Sequence, residues 1–155
     1  MSLNAEVEHL RSLPLFARID PVKLKLLAFT SQRIRFQPGQ VLFRQGDVGD
    51  AAYLVLGGTA DVYVSADGRE FHFSTVKAGS IIGEIAILCD VPRTATVIAR
   101  DGLDTLQIMK DRFWWLITEF PDISIGIMRV LAKRLASGTA ELAQVRARVA
   151  PREER

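Results

Sequence analysis

Histidine and cysteine are nearly missing from this chain, at two and one residues. A lone Cys89 cannot build an intramolecular disulfide framework, which fits a reducing, cytoplasmic setting. His9 and His72 are too few to supply the converging ligands of a metal-dependent enzyme, and no Ser/His/Asp set can be assembled. The reading is therefore not an enzyme, with no metal and no cofactor. Long hydrophobic runs are also absent: none approaches the roughly 20 residues of a bilayer-spanning helix. Residues 1–11 alternate polar and apolar side chains without the apolar core of a leader, so neither a membrane nor export is expected. Charge of one sign is lacking too, since 20 basic against 18 acidic residues leave +2, too little to imply nucleic-acid binding. What is present is 48% hydrophobic and 25% charged residues over 155 positions, enough for one globular domain with a real core.

The chain divides by pattern. Residues 5–13 and 20–29 read as short helices, the second with Asp20 as N-cap and Pro21 at the first helical position. From Gln32 to Lys110, short β-branched and aromatic segments are cut by glycines, giving candidate strands at 32–36, 41–44, 52–56, 59–65, 70–76, 95–100 and 103–109. Ala66-Asp67-Gly68-Arg69 is a hairpin turn, because Asp-Gly supplies the positive φ that tight turns require. Many short strands with glycine turns imply a roll or sandwich rather than a parallel sheet. The expected fold class is mainly β with flanking helices: an N-terminal helical segment over 1–30, an eight-stranded jelly-roll barrel over 31–110, and C-terminal helices over 111–150. Within those helices, 111–119 stops near Pro121 and a second helix begins near Asp122 and runs to about Val149, on the order of 40 Å long. The tail from Pro151 to Arg155 is expected to fray.

The most informative stretch runs from Gly83 to Val97, GEIAILCDVPRTATV. Gly83 and Glu84 open a short apolar run, Pro92 breaks it, and Arg93, Thr94 and Thr96 follow. The physical reading is a one-turn helix whose free N–H groups face an anion, with the Arg93 guanidinium closing on the same anion. Glu84 would repel a phosphate, and makes sense if it accepts from ligand hydroxyls instead. Phosphate, hydroxyl and small pocket together suggest a nucleotide.

These fifteen ordered positions resemble the phosphate-binding cassette of cyclic nucleotide-binding domains, roughly G-E-[IL]-A-L-L-x-x-x-P-R-x-A-[TS]-V, with Ile87 where leucine is common. Upstream, Phe43-Arg44-Gln45-Gly46-Asp47, Gly49-Asp50, Tyr53-Leu54-Val55 and Gly57-Gly58 are similar to the glycine-punctuated strands of the same family. The likeness covers about residues 10 to 148. It implies that Arg93 makes a bidentate contact to a cyclic phosphate, which a lysine could not reproduce. Glu84 would accept from the ribose 2′-hydroxyl and lie near the arginine, so that the two charges orient each other. The backbone N–H groups of Ile85, Ala86 and Ala95 would complete the cradle, and the small alanines would allow close approach. Thr94 would permit guanine in the syn conformation without demanding it, so the ligand is expected to be cAMP, with cGMP possible. For the base, the resemblance points to Val62 and Phe73 as walls, with Ser74 as a pocket donor or a solvent-facing residue. It also points to Gly138 and Thr139 on the long helix, and to Arg134 as a residue stacking over the base.

On that long helix, Met128, Leu131, Leu135, Gly138, Leu142, Val145 and Val149 are spaced 3, 4, 3, 4, 3 and 4 apart, a heptad seam. The stripe fits either packing on the chain's own barrel or a coiled-coil-like homodimer through 122–149, and its length and strict period favour the dimer. Phe113, Trp114, Trp115 and Phe120 read as packing of the helix pair against the barrel, and Cys89 as a small loop residue. The function expected is a receptor whose C-terminal helix moves with the ligand and is read by a downstream protein. The family's gene regulators carry a helix-turn-helix after this helix, and none is expected here, so direct nucleic-acid binding is not expected. The competing readings are a cupin-like enzyme and a degenerate dimerisation domain whose pocket Phe73 fills.

Overall fold

The computed structural model describes residues 3–149. The expected tail from Pro151 to Arg155 lies outside the described residues. Eight antiparallel strands form two four-stranded sheets, preceded by two helices, interrupted by one and followed by two. Helix α1 (Leu3–Ser12) leads through a short 3-10 turn at Pro14–Phe16, absent from the sequence expectation, into α2 (Pro21–Thr30). Asp20 caps α2 as its composition predicts, its carboxylate accepting from the Val22 N–H at 2.9 Å.

The first sheet runs in the order β1 (Gln32–Phe36), β8 (Leu103–Met109), β3 (Ala51–Gly57) and β6 (Ile81–Ile82). The second runs β2 (Val41–Phe43), β7 (Thr96–Ala99), β4 (Ala60–Ala66) and β5 (Arg69–Val76). Seven of these overlap the strands read from the pattern. β6 escaped it because two residues have no period, and its pairing with Tyr53 and Leu54 is a tertiary event. The β4–β5 hairpin closes on Asp67 and Gly68, both at positive φ.

β3 is buried almost throughout and divides two apolar clusters. Alternate residues Ala52, Leu54 and Leu56 face the helices, joining Phe16, Leu24, Leu27, Phe113, Leu116 and Ile123. Ala51, Tyr53 and Val55 face inward with Phe36, Val97 and Leu103. One cluster thus fastens the helices to the sheet, and the other packs one end between the sheets.

Helices α4 (Lys110–Glu119) and α5 (Pro121–Val149) follow. Phe113 and Phe120 are buried and Trp115 is partly so, packed against the helix cluster. Trp114 departs from expectation: it is 41% exposed, because a one-residue step on a helix turns it away from the face Phe113 buries. α5 is anchored by Ile123, Ile127 and partly buried Leu131, after which every described residue to Val149 is exposed.

Candidate functional site

Between the second sheet, the segment 82–97 and α5 lies a cavity of about 940 Å³. Helix α3 (Glu84–Leu88) sits at its floor, and Gly83, its N-cap, adopts the left-handed conformation at φ 82°. A Cβ there would fall 2.4 Å from the Arg93 Nη1 and 3.2 Å from the Ala51 carbonyl, so glycine is required by both conformation and space.

Arg93 is 4% exposed, an unusual burial for a guanidinium. Its backbone is clamped on both sides, its N–H donating to the Asp47 carbonyl and its carbonyl accepting from the Gly46 N–H, each at 2.8 Å. Its Nη1 donates to the Gly83 carbonyl at 2.9 Å and its Nη2 to the Ala51 carbonyl at 2.6 Å. The guanidinium lies over the Phe43 ring, 4.1 Å from the centroid. Nε remains: it is buried and has no acceptor among the described residues. Burial pushes the guanidinium pKa down, opposed by Tyr53, Asp50, Asp47 and Glu84 in turn. The result is a desolvated cation in a cavity wall, held by neutral carbonyls and lacking a contacting anion.

Glu84 is equally buried, at 3% exposure. Burial raises its pKa, and a hydrogen bond to its own backbone, then Arg134 and then Arg93, pull it back. Glu84 and Arg93 do act on each other's charge, and the structure adds a closer partner. The ion pair of Glu84 is made with Arg134 of α5, Nη1 to Oε1 at 2.8 Å, and Arg93 contributes only at longer range. Arg134 also donates to the Ile81 carbonyl at 3.3 Å. These two bonds hold its guanidinium at the cavity floor. The reason is electrostatic: a buried carboxylate draws the nearest mobile cation, and fifty residues of chain separate the pair, so no local pattern could show it.

All twelve residues picked from the sequence line this cavity: Gly83, Glu84, Ile85, Ala86, Arg93, Thr94 and Ala95 below, Val62, Phe73 and Ser74 along the sheet, Arg134 and Thr139 on α5. Gly138 lines it too. Phe73 is 69% exposed, so it stands at the rim and does not plug the space. The Thr139 hydroxyl donates to the Leu135 carbonyl at 2.8 Å, its donor turned back into its own helix. The seam residues Leu131, Leu135 and Leu142 also face this cavity, a use of the stripe that its spacing did not reveal. Cys89 is the exposed C-cap of α3.

Sequence reasoning missed Phe43, Ser137 and Glu141, all on the cavity wall. Glu141 lies seven residues beyond Arg134 on one helical face, a relation legible once Arg134 is placed. Both histidines are engaged away from this floor, His9 with the Leu56 carbonyl at 2.9 Å and His72 with Asp61 at 3.0 Å. Among the described residues no group of three His, Cys, Asp or Glu side chains could hold a metal ion. Nor, among them, is any helix long and apolar enough to cross a membrane.

The chain carrying this site is similar to known proteins. The family model described as cyclic nucleotide-binding domain matches residues 33–120. A cAMP-dependent protein kinase regulatory subunit of Blastocladiella emersonii is 33% identical over 115 residues, covering 74% of this chain and 28% of that protein. Among solved structures, the cAMP-binding acyltransferase from Mycobacterium smegmatis superposes with a TM-score of 0.73 at 32% identity, over 87% of this chain and 42% of that one. The Thermus thermophilus catabolite activator protein gives 0.75 at 28% identity, over 85% and 62%. The chain spans less than half the length of the kinase subunit and of the acyltransferase. With its cassette, its two-sheet fold and the match over more than half its length, this chain belongs to the cyclic nucleotide-binding domain family.

Proposed function

We propose that the chain is a jelly-roll receptor for 3′,5′-cAMP that reports occupancy through α5. The observation that carries this is Arg93, a buried cation with an unpaired Nε donor in the wall of a cavity large enough for a nucleotide. A cyclic phosphate supplies the missing acceptor and charge, with the first N–H groups of α3 and that of Ala95 beside it. Glu84 takes the ribose 2′-hydroxyl. To do so it shares or surrenders its bond to Arg134, and because Arg134 belongs to α5, the ligand acquires a direct hold on that helix. The likeness to a cAMP-dependent kinase subunit and to a cAMP-binding acyltransferase favours cAMP over other cyclic nucleotides.

The transmission follows from the double use of one stripe. Leu135 and Leu142 line the cavity and belong to the heptad seam, and they are 73% and 51% exposed. A base that draws these leucines inward changes what α5 offers to a second copy or to a downstream protein. In this reading the protein is a cytoplasmic homodimer through α5, with no catalytic step of its own and no direct contact with nucleic acid or membrane.

A second reading, cGMP, has its own observation. Thr94 and Glu141 both line the cavity. A carboxylate accepts from the N1–H and exocyclic amine of guanine, whereas adenine presents an acceptor at N1. Calorimetric titration of unfolded and refolded protein with cAMP and then cGMP, repeated on Arg93→Ala, decides the matter. Binding that collapses in the variant supports the receptor, and the ratio of the two affinities names the base. Absence of heat with either nucleotide leaves the degenerate dimerisation module.

A further inference from the structure

The backbone clamp on Arg93 is itself held from outside the cassette. Gly46 and Asp47, which bond both sides of the Arg93 peptide, belong to the tight turn after β2. In that turn the Asp47 carbonyl and carboxylate are committed inward, the side chain accepting from the Arg44 N–H at 3.1 Å. Gln45 reaches the other way. Its Oε1 accepts from the Ser65 N–H at 2.8 Å and its Nε2 donates to the Ser65 carbonyl at 3.2 Å. The side-chain amide thus imitates a residue of a neighbouring strand at the end of β4. Its own N–H donates to the hydroxyl of buried Thr96 at 2.9 Å, three residues after Arg93. Residues 45–47 therefore bond the Arg93 backbone on both sides, the first residue of β7, and the cavity-wall strand β4 as well, the strand that carries Val62 and Val64.

We infer that Gln45 is a positioning residue for the anion site. It staples the turn that clamps Arg93 to the strand that walls the base, so that phosphate contact and base wall keep one spacing. This rests on the receptor reading of the previous section. Gln45 touches no ligand atom in this account, and its effect passes through Arg93. Gln45 is exposed and its amide packs in no core, so its replacement leaves the fold standing.

The test uses the whole chain and two replacements: Gln45→Ala, and Gln45→Met, which keeps the length and loses the amide. Each is made in the native background and in Arg93→Lys. Two net hydrogen bonds of ordinary strength set the expected loss of cAMP affinity at roughly tenfold for both replacements with Arg93 present. With Arg93→Lys the further loss is below about twofold, since the group being positioned is gone. Equal losses in both backgrounds, or native affinity in Gln45→Met, overturn the inference. A second arm needs no nucleotide. The buried Arg93 Nε–H gives its own amide-type proton–nitrogen correlation, and in both variants this signal shifts or broadens and exchanges faster. An unchanged signal refutes the staple, even if the native protein binds no cyclic nucleotide and the receptor reading fails separately.

Discussion

Adding one methyl group at Gly49 tests the geometry of the cassette without touching a charge. Gly49 lies in the loop before β3, and a Cβ built there falls 2.3 Å from the Ala86 Cβ and 3.5 Å from the Arg93 Cζ. Carbon atoms pack at about 3.5–4.0 Å, so the methyl is roughly 1.2 Å short of room. Neither party can yield by rotating, because each Cβ is fixed to its backbone. Either the Gly49 loop or α3 must move as a body, and Ala86 sits in the first turn of α3 between Glu84 and the rest of the cradle. Overpacking of this size costs about 1–3 kcal/mol of stability. A displacement near 1 Å of groups that grip a ligand costs on the order of a hundredfold in their action. Gly49→Ala is therefore expected to lower the melting temperature by several degrees, with about 2–4 °C per kcal/mol at this size. It is expected to weaken cAMP binding by ~30–100-fold in calorimetric titration. Ala86→Gly removes the opposing methyl, and the double variant recovers at least half of the lost binding free energy, short of all of it because glycine costs about 1 kcal/mol in a helix. Native affinity in Gly49→Ala, or a double variant no better than the single one, refutes the claim that Gly49 and Ala86 set the position of α3.

Burial, which outweighs the opposing pull of Arg134, makes Glu84 the site's pH-sensitive group. Its folded pKa is raised, so its contribution to stability is fully present below its unfolded value and is lost as pH rises through the folded one. At neutral pH Glu84→Gln is thus expected to melt higher than the native protein. cAMP affinity, which uses the ionised carboxylate, falls as pH drops through that raised pKa, and Glu84→Gln flattens the profile at roughly tenfold weaker binding. Titrations between pH 5 and 8 with a profile unchanged by the substitution would count against the ribose contact. For the dimer, Val145 and Val149 are 51% and 73% exposed and lie off the cavity. Val145→Glu with Val149→Glu is expected to yield monomers in sedimentation equilibrium, with cAMP affinity held within about twofold. A dimer that survives both charges would move the interface elsewhere.

Helix and strand positions were legible where a side-chain period exists. Asp20 and Pro21 announce α2, Asp67 and Gly68 the hairpin, and the alternation of β3 its two buried faces. The two-residue β6 and the 3-10 turn at Pro14–Phe16 carry too few residues for a period. The heptad spacing of α5 was legible as a stripe but ambiguous in its partner. A stripe records only that a face is apolar, and three of its leucines turn out to line a cavity of the same chain. Trp114 shows the same limit, since an aromatic cluster in sequence does not say which ring a helix turns outward.

The chain by itself determined the chemistry of the site. Gly83, Glu84, Arg93 and Thr94 stand within twelve consecutive positions, and a short helix and turn bring such neighbours together wherever they fold. Only the tertiary structure decided how the charges are used. Arg93 is suspended from the carbonyls of Gly83 and Ala51 over Phe43, and Glu84 is claimed by Arg134 from a helix fifty residues away. Partners of that kind follow from burial, which strips water from a charge and leaves it to the nearest group the packed fold supplies.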